Sequence, residues 1–191
     1  MEIFQDNFIE KGKHVRWVSL NKTNPFAFVF DYHFWHDKIN LKLADQIKKV
    51  ILTKKQYDQT KNKTYWIKNN IFKLKDQEIK LLKKEIKKIL NSFFQQINFN
   101  TNEQLYIQGW PSVLKKNQHH KEHFHEAHEF SFLSGNITIF SSFIPHKVDK
   151  IEDEFRISIG FNLYTQTSLD YFNKTQHIQR DLSPIKYAVK L

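Results

Sequence analysis

Cysteine is absent from the 191 residues, which removes disulfides and thiolate metal ligands together. Any metal held by this chain is bound by imidazole, carboxylate, carbonyl or water, a ligand chemistry that points to iron, manganese or zinc. Arginine is scarce: Arg16, Arg156 and Arg180 are the three among 30 basic side chains. With four glycines as well, the chain has neither an arginine-rich nor a glycine-rich binding segment. No stretch approaches the roughly 20 apolar residues that a bilayer-spanning helix needs. The amino-terminal run MEIFQDNFIEKGKH is mixed and charged, not a basic segment leading into an apolar one. The expectation is a cytoplasmic protein with no membrane segment. No composition break divides the chain, so a single domain over residues 1–191, with a sizeable core, is expected.

Lysine is what the chain has in excess, and it carries most of a net charge of +10. Clustered cations gain affinity for nucleic acid by releasing counterions from phosphates, so a basic nucleic-acid-binding protein is one reading. The lysines run from Lys11 to Lys190 and alternate with Ile and Asn, which favours a diffuse solvated surface instead. An acidic small molecule or partner would still be drawn to it.

Patterning divides the chain into a mixed, helix-containing part (1–102), a β-rich part (103–164) and a tail (165–191). The aromatic and β-branched runs His14–Leu20 and Phe26–Trp35 read as strands. Leu43, Ile47, Val50 and Ile51 recur at helical spacing and predict a helix over 41–55, and the polar stretch Asp58–Asn70 reads as a loop or short hairpin around Tyr65 and Trp66. Ile79, Leu82, Ile86, Ile89, Leu90 and Phe93 predict a long amphipathic helix from Asp76 to Gln96. After a turn near Asn98–Asn102 the pattern changes to LYIQGW, FSFLSG, NITIF and RISIGFNLY, which are strand-like, and Leu133-Ser-Gly-Asn136 reads as a tight turn. The tail carries a short helix near 169–174 and a final apolar segment.

The chemically suggestive residues lie in one stretch, Gln108–Asn162. Six of ten histidines fall between His119 and His146. In His123-Phe-His125, imidazoles one residue apart on a strand point to the same side, which suits two ligands on one metal. Neutral imidazole binds Fe(II), Zn(II) and Cu(II), and His146, after Phe-Ser-Ser-Phe-Ile-Pro, is the natural third ligand. The plain alternative is a histidine-rich surface loop. Arg156 follows ten positions after His146, in a chain that otherwise chooses lysine; its planar guanidinium gives a two-pronged grip on a carboxylate that lysine cannot reproduce. Its plain alternative is a surface pairing with Glu152 or Asp153.

The order Phe-Ser-Ser-Phe-Ile-Pro-His146, acidic turn, Arg156-Ile-Ser158-Ile-Gly-Phe-Asn resembles the C-terminal half of the site in Fe(II)- and 2-oxoglutarate-dependent dioxygenases. Upstream, Gly109-Trp110, His123-Phe-His125 and Leu133-Ser-Gly135 are similar to a subgroup of those oxygenases with a His-x-His motif. The resemblance covers about 55 residues. It implies an α+β chain with a double-stranded β-helix (jelly-roll) core and N-terminal packing helices. It further implies Fe(II) held by His123, His125 and His146, and 2-oxoglutarate as cosubstrate, its far carboxylate clamped by Arg156 with help from Ser158. Two departures stand out. The position usually held by a carboxylate is His125, with His120, Glu122, Glu126 and His128 as other ligand candidates. The segment between His125 and His146 is also too short for the usual intervening strands, which implies either a truncated core with an incomplete pocket or a sequence that lacks an internal segment. The expected function is hydroxylation of an unidentified substrate. A non-catalytic metal- or ligand-binding jelly roll of the same ancestry is the alternative, and nucleic-acid binding the third.

Overall fold

The computed structural model describes residues 13–19, 30–54, 69–99, 102–123, 129–133, 135–140, 146–175 and 187–191. In chain order these give β1 (Lys13–Ser19), β2 (Phe30–Lys38), α1 (Leu41–Thr53), a 3-10 turn (Ile71–Lys73), α2 (Gln77–Gln96), β3 (Leu105–Lys115), β4 (His120–His123), β5 (Glu129–Leu133), β6 (Asn136–Ile139), β7 (His146–Val148), β8 (Phe155–Thr165), α3 (Gln166–Thr175) and β9 (Val189–Lys190). The chain is a mixed α and β structure with antiparallel sheets. A seven-stranded sheet runs β1-β2-β6-β5-β8-β3-β9, and β4 pairs with β7 in a separate two-stranded sheet. The stretch around Tyr65 and Trp66 lies outside the described residues.

Both long helices follow their apolar spacing. In α1, Leu43, Ile47 and Ile51 are buried, and the Asn40 side chain caps the start by accepting from the Lys42 amide at 2.8 Å. In α2, Ile79, Leu82, Ile86, Ile89, Leu90 and Phe93 are buried. These two stripes cover one face of the large sheet and meet Trp35, Ile107, Ile137, Ile139, Ile159, Phe161 and Leu163 there. Lys54 pairs with Asp76 at 3.2 Å, tying the end of α1 to the start of α2.

A buried amide joins the 3-10 turn to the sheet. Asn70 is 3% exposed; its Oδ1 accepts from the amides of Phe72 and Gly109, both at 3.0 Å. Its Nδ2 donates to the carbonyls of Ile107 (3.1 Å) and Tyr187 (2.8 Å). The 3-10 turn, β3 and the C-terminal segment are thus held by one side chain. Gly109 is glycine because Phe72 packs onto it: an added Cβ would lie 2.5 Å from the Phe72 ring and 2.9 Å from the Phe161 Cβ.

The β-rich part is one long antiparallel ribbon that folds across itself. Residues 105–115 pair in unbroken register with 165–155. At the corner the ladder continues through Lys116 N to Glu154 O (2.9 Å), Asn117 N to Ile151 O (2.9 Å) and Ile151 N to Gln118 O (3.0 Å). Asn117, at φ 70°, takes the left-handed conformation that asparagine tolerates. Beyond the corner the ribbon becomes β4–β7, and then the β5–β6 hairpin returns to the large sheet, where β5 pairs with β8 and β6 with β2. The paired strand therefore passes from the large sheet to the small one and back. The hairpin reverses between the register partners Leu133 and Asn136, with Gly135 at φ 77°. Glycine adopts that conformation without steric penalty, and the position lies against Leu41 of α1.

Candidate functional site

Strand alternation sorts β8 into two faces. Ile157, Ile159, Phe161 and Leu163 turn toward the helices, and Arg156, Ser158, Gly160, Asn162 and Tyr164 take the other side. Their direct partners on β3 are Leu114, Ser112, Trp110, Gln108 and Tyr106. That second face is unusually polar for a buried surface: Gln108 is 0% exposed, Asn162 2%, His36 6% and Ser112 8%. The small sheet lies against it. His120 of β4 hydrogen-bonds the Ser112 hydroxyl at 3.1 Å, and the His146 ring meets the buried Phe140 ring edge-on at 5.3 Å.

The histidines are arranged by a bulge. His120 pairs with Val148 and His123 with His146, so two residues of β4 stand opposite Lys147 alone. His123 is thus the direct cross-strand partner of His146. His125, with Glu126 and His128, lies outside the described residues. Among the described residues no group of three or more histidine or carboxylate side chains gathers in a metal-holding arrangement.

Arg156 is half-buried at the start of β8. Its Nε is buried with no hydrogen-bond partner among the described residues. Burial pulls the guanidinium below its ordinary pKa, and the Asp149 carboxylate pushes it back up. Among the described residues no ion pair joins Arg156 to Glu152 or Asp153, and Asp149 is the carboxylate whose charge is felt there. Arg156 also lines a cleft of about 710 Å³ between α1, the β5–β6 turn and the segment leading into β8. Its floor is apolar, with Ile47, Ile51 and Ile157, while Asp149 and Lys48 are at the rim; the Lys48 ammonium sits 4.8 Å over the Phe155 ring. Ser158 shares the Arg156 face and is the register partner of Ser112, the residue bonded to His120.

Three polar residues on this face are not flagged by any motif. Gln108 and Asn162 face each other across β3 and β8; Asn162 Nδ2 donates to the Tyr164 hydroxyl at 3.0 Å, while its Oδ1 has no partner among the described residues. The signal for them was a polar residue at the alternate positions of LYIQGW and RISIGFN, which reads as solvent-facing until a second sheet covers it. His36 is the third. Its Nδ1 shares a hydrogen bond with Thr138 Oγ1 at 3.1 Å, and burial, followed by the Lys38 charge, lowers its pKa against the opposing pull of Asp37.

The His36 shift has a sign. A histidine with a folded pKa below its ordinary value of about 6.5 takes up its proton more readily in the unfolded chain, so stability falls as pH drops from about 6.5 through the folded value. Urea unfolding at pH 7 and pH 5 is expected to show a smaller loss for His36→Gln than for the parent chain. An equal loss in both would remove His36 as the source.

No family model matches the chain, and no curated protein matches it in sequence. Among the described residues no helix is long and apolar enough to cross a membrane.

Proposed function

We propose that this chain is an Fe(II)- and 2-oxoglutarate-dependent dioxygenase on a jelly roll shortened by one double strand. The observation that carries the reading is the order in which the folded ribbon delivers its residues. A histidine pair, His123 and His146, stands in direct register on the small sheet. One corner later, Arg156 and Ser158 share a face of the long strand. Direct register partners share one face of a ribbon, which is what two ligands of one metal require. His125 is the proposed third ligand.

The anion side of the fit rests on Arg156. A half-buried guanidinium whose Nε has no partner among the described residues is suited to a carboxylate that replaces its lost hydration. When bound, Fe(II) and 2-oxoglutarate together supply the oxidising chemistry for hydroxylating a C–H bond with O2. The chain's own work is to hold the far carboxylate with Arg156 and to orient it through the Ser158 hydroxyl. The Ser112–His120 contact fixes the small sheet against the large one.

One observation favours the non-catalytic alternative. The β5–β6 reversal is direct, so the double strand that would wall the cosubstrate pocket is replaced by a turn and the flank of α1. Succinate release from 2-oxoglutarate with Fe(II) and O2, in the absence of a prime substrate, separates the two readings. Slow release that disappears in His146→Ala is expected. Metal binding without release would leave a binding protein.

A further inference from the structure

We propose that the outer surface of the α1–α2 layer is a docking face for duplex nucleic acid, held through its phosphates. The lysines look diffuse in the sequence, but the fold segregates them. Lys42 and Lys49 of α1 and Lys80, Lys84, Lys87 and Lys88 of α2 are all exposed. Lys80, Lys84 and Lys88 recur four residues apart, so they form rungs about 6 Å from one another along the helix, a spacing comparable with that of successive backbone phosphates. The carboxylates offset them only in part: Asp76 is paired with Lys54, Glu78 and Glu85 are half-buried, and Asp45 is exposed between Lys42 and Lys49 on α1, which leaves the Lys80, Lys84 and Lys88 row of α2 as the least opposed. Elsewhere the charges are mixed, as at 147–154, where Lys147 pairs with Asp149 at 3.0 Å and Lys150 stands beside Glu152, Asp153 and Glu154. Crowding of like charge is felt within the layer, since the Lys87 charge adds to burial in lowering the pKa of Lys83.

The occupant follows from what the layer lacks. An interfacial membrane helix keeps its apolar stripe for lipid. Here the apolar stripes of α1 and α2 are spent on the core, leaving Leu41, Leu52 and Leu81 as separate outward leucines. A single strand is held by aromatic side chains that stack on its bases, and no aromatic residue lies between Lys80 and Lys88. Lysine rungs alone suit a regular phosphate backbone read without sequence preference.

Fluorescence anisotropy of a labelled 20-base-pair duplex, at salt concentrations from 50 to 200 mM, tests this. With about four phosphates engaged, the plot of log K against log salt is expected to slope at roughly −3.6. The triple variant Lys80→Gln/Lys84→Gln/Lys88→Gln should lose about 2.7 of that slope and on the order of 100-fold in affinity near 0.1 M salt. Lys115→Gln/Lys121→Gln/Lys147→Gln, exposed positions in and around the small sheet, should bind as the parent does. Circular dichroism checks that each variant is folded, and Lys84→Gln alone, with about 0.9 less slope, serves if the triple variant is not. Parent-like binding by the α2 variants overturns the proposal. So does the absence of salt-dependent binding by the parent, or tighter binding to phosphatidylserine vesicles than to the duplex.

Discussion

Replacing Asn70 by alanine is expected to cost about 3 to 5 kcal/mol of folding stability. Asn70 is almost fully buried and uses both ends of its amide. The variant leaves the amides of Phe72 and Gly109 and the carbonyls of Ile107 and Tyr187 without it, in a place that water does not reach. Each buried group left unsatisfied costs about 1 to 3 kcal/mol, and partial relaxation keeps the total below the sum. At this chain length a thermal midpoint lower by on the order of 10 °C corresponds to that loss. Asn70→Asp keeps the acceptor and discards both donations, so it too should be destabilised. Chemical denaturation measures both, and a loss below about 1 kcal/mol for Asn70→Ala would show that the 3-10 turn and the C-terminal segment are fastened by something else.

The second large effect is expected at Arg156. Lysine in its place retains the charge but not the planar fork, so 2-oxoglutarate should bind at least tenfold more weakly to Arg156→Lys, while metal binding and stability change little. Burial makes the difference larger than it would be at the surface, because a half-buried cation whose Nε has no partner among the described residues depends on its anion for hydrogen bonds. Arg156→Ala should abolish cosubstrate binding. If Arg156 serves only as a partner for Asp149, then both variants bind 2-oxoglutarate as the parent does, and Asp149→Asn alters stability instead.

The helices were legible in the sequence because their apolar residues recur at a period that only a helix places on one face. Ile79 through Phe93 is the clear instance, and the observed span, Gln77–Gln96, differs from the expected one by a single residue at the start. The short helix near 169–174 proved longer, Gln166–Thr175, since its polar first turn carries no apolar period. The strands of the β-rich part and the Leu133–Asn136 reversal were also readable, from alternation and from glycine. What could not be read was the covering of one sheet face by another. Gln108, Asn162 and Ser112 alternate with apolar residues as solvent-facing side chains do, yet all three are buried, Ser112 against His120 of the small sheet. The bulge in β4 was equally hidden. Period-two spacing draws attention to His123 and His125, whereas the register sets His123 opposite His146 and brings His120 to Ser112. Composition likewise suggested scattered lysines, because it cannot tell that two amphipathic helices turn theirs to one side.

The claim that metal and cosubstrate share one site is tested most directly by titrating 2-oxoglutarate into the protein by calorimetry, with and without Mn(II), which stands in for Fe(II) and prevents turnover. A cosubstrate that chelates the metal while Arg156 holds its far end should bind at least tenfold more tightly when Mn(II) is present, and this gain should vanish in His146→Ala. Binding of equal strength with and without Mn(II), or no binding in either case, would contradict the assignment.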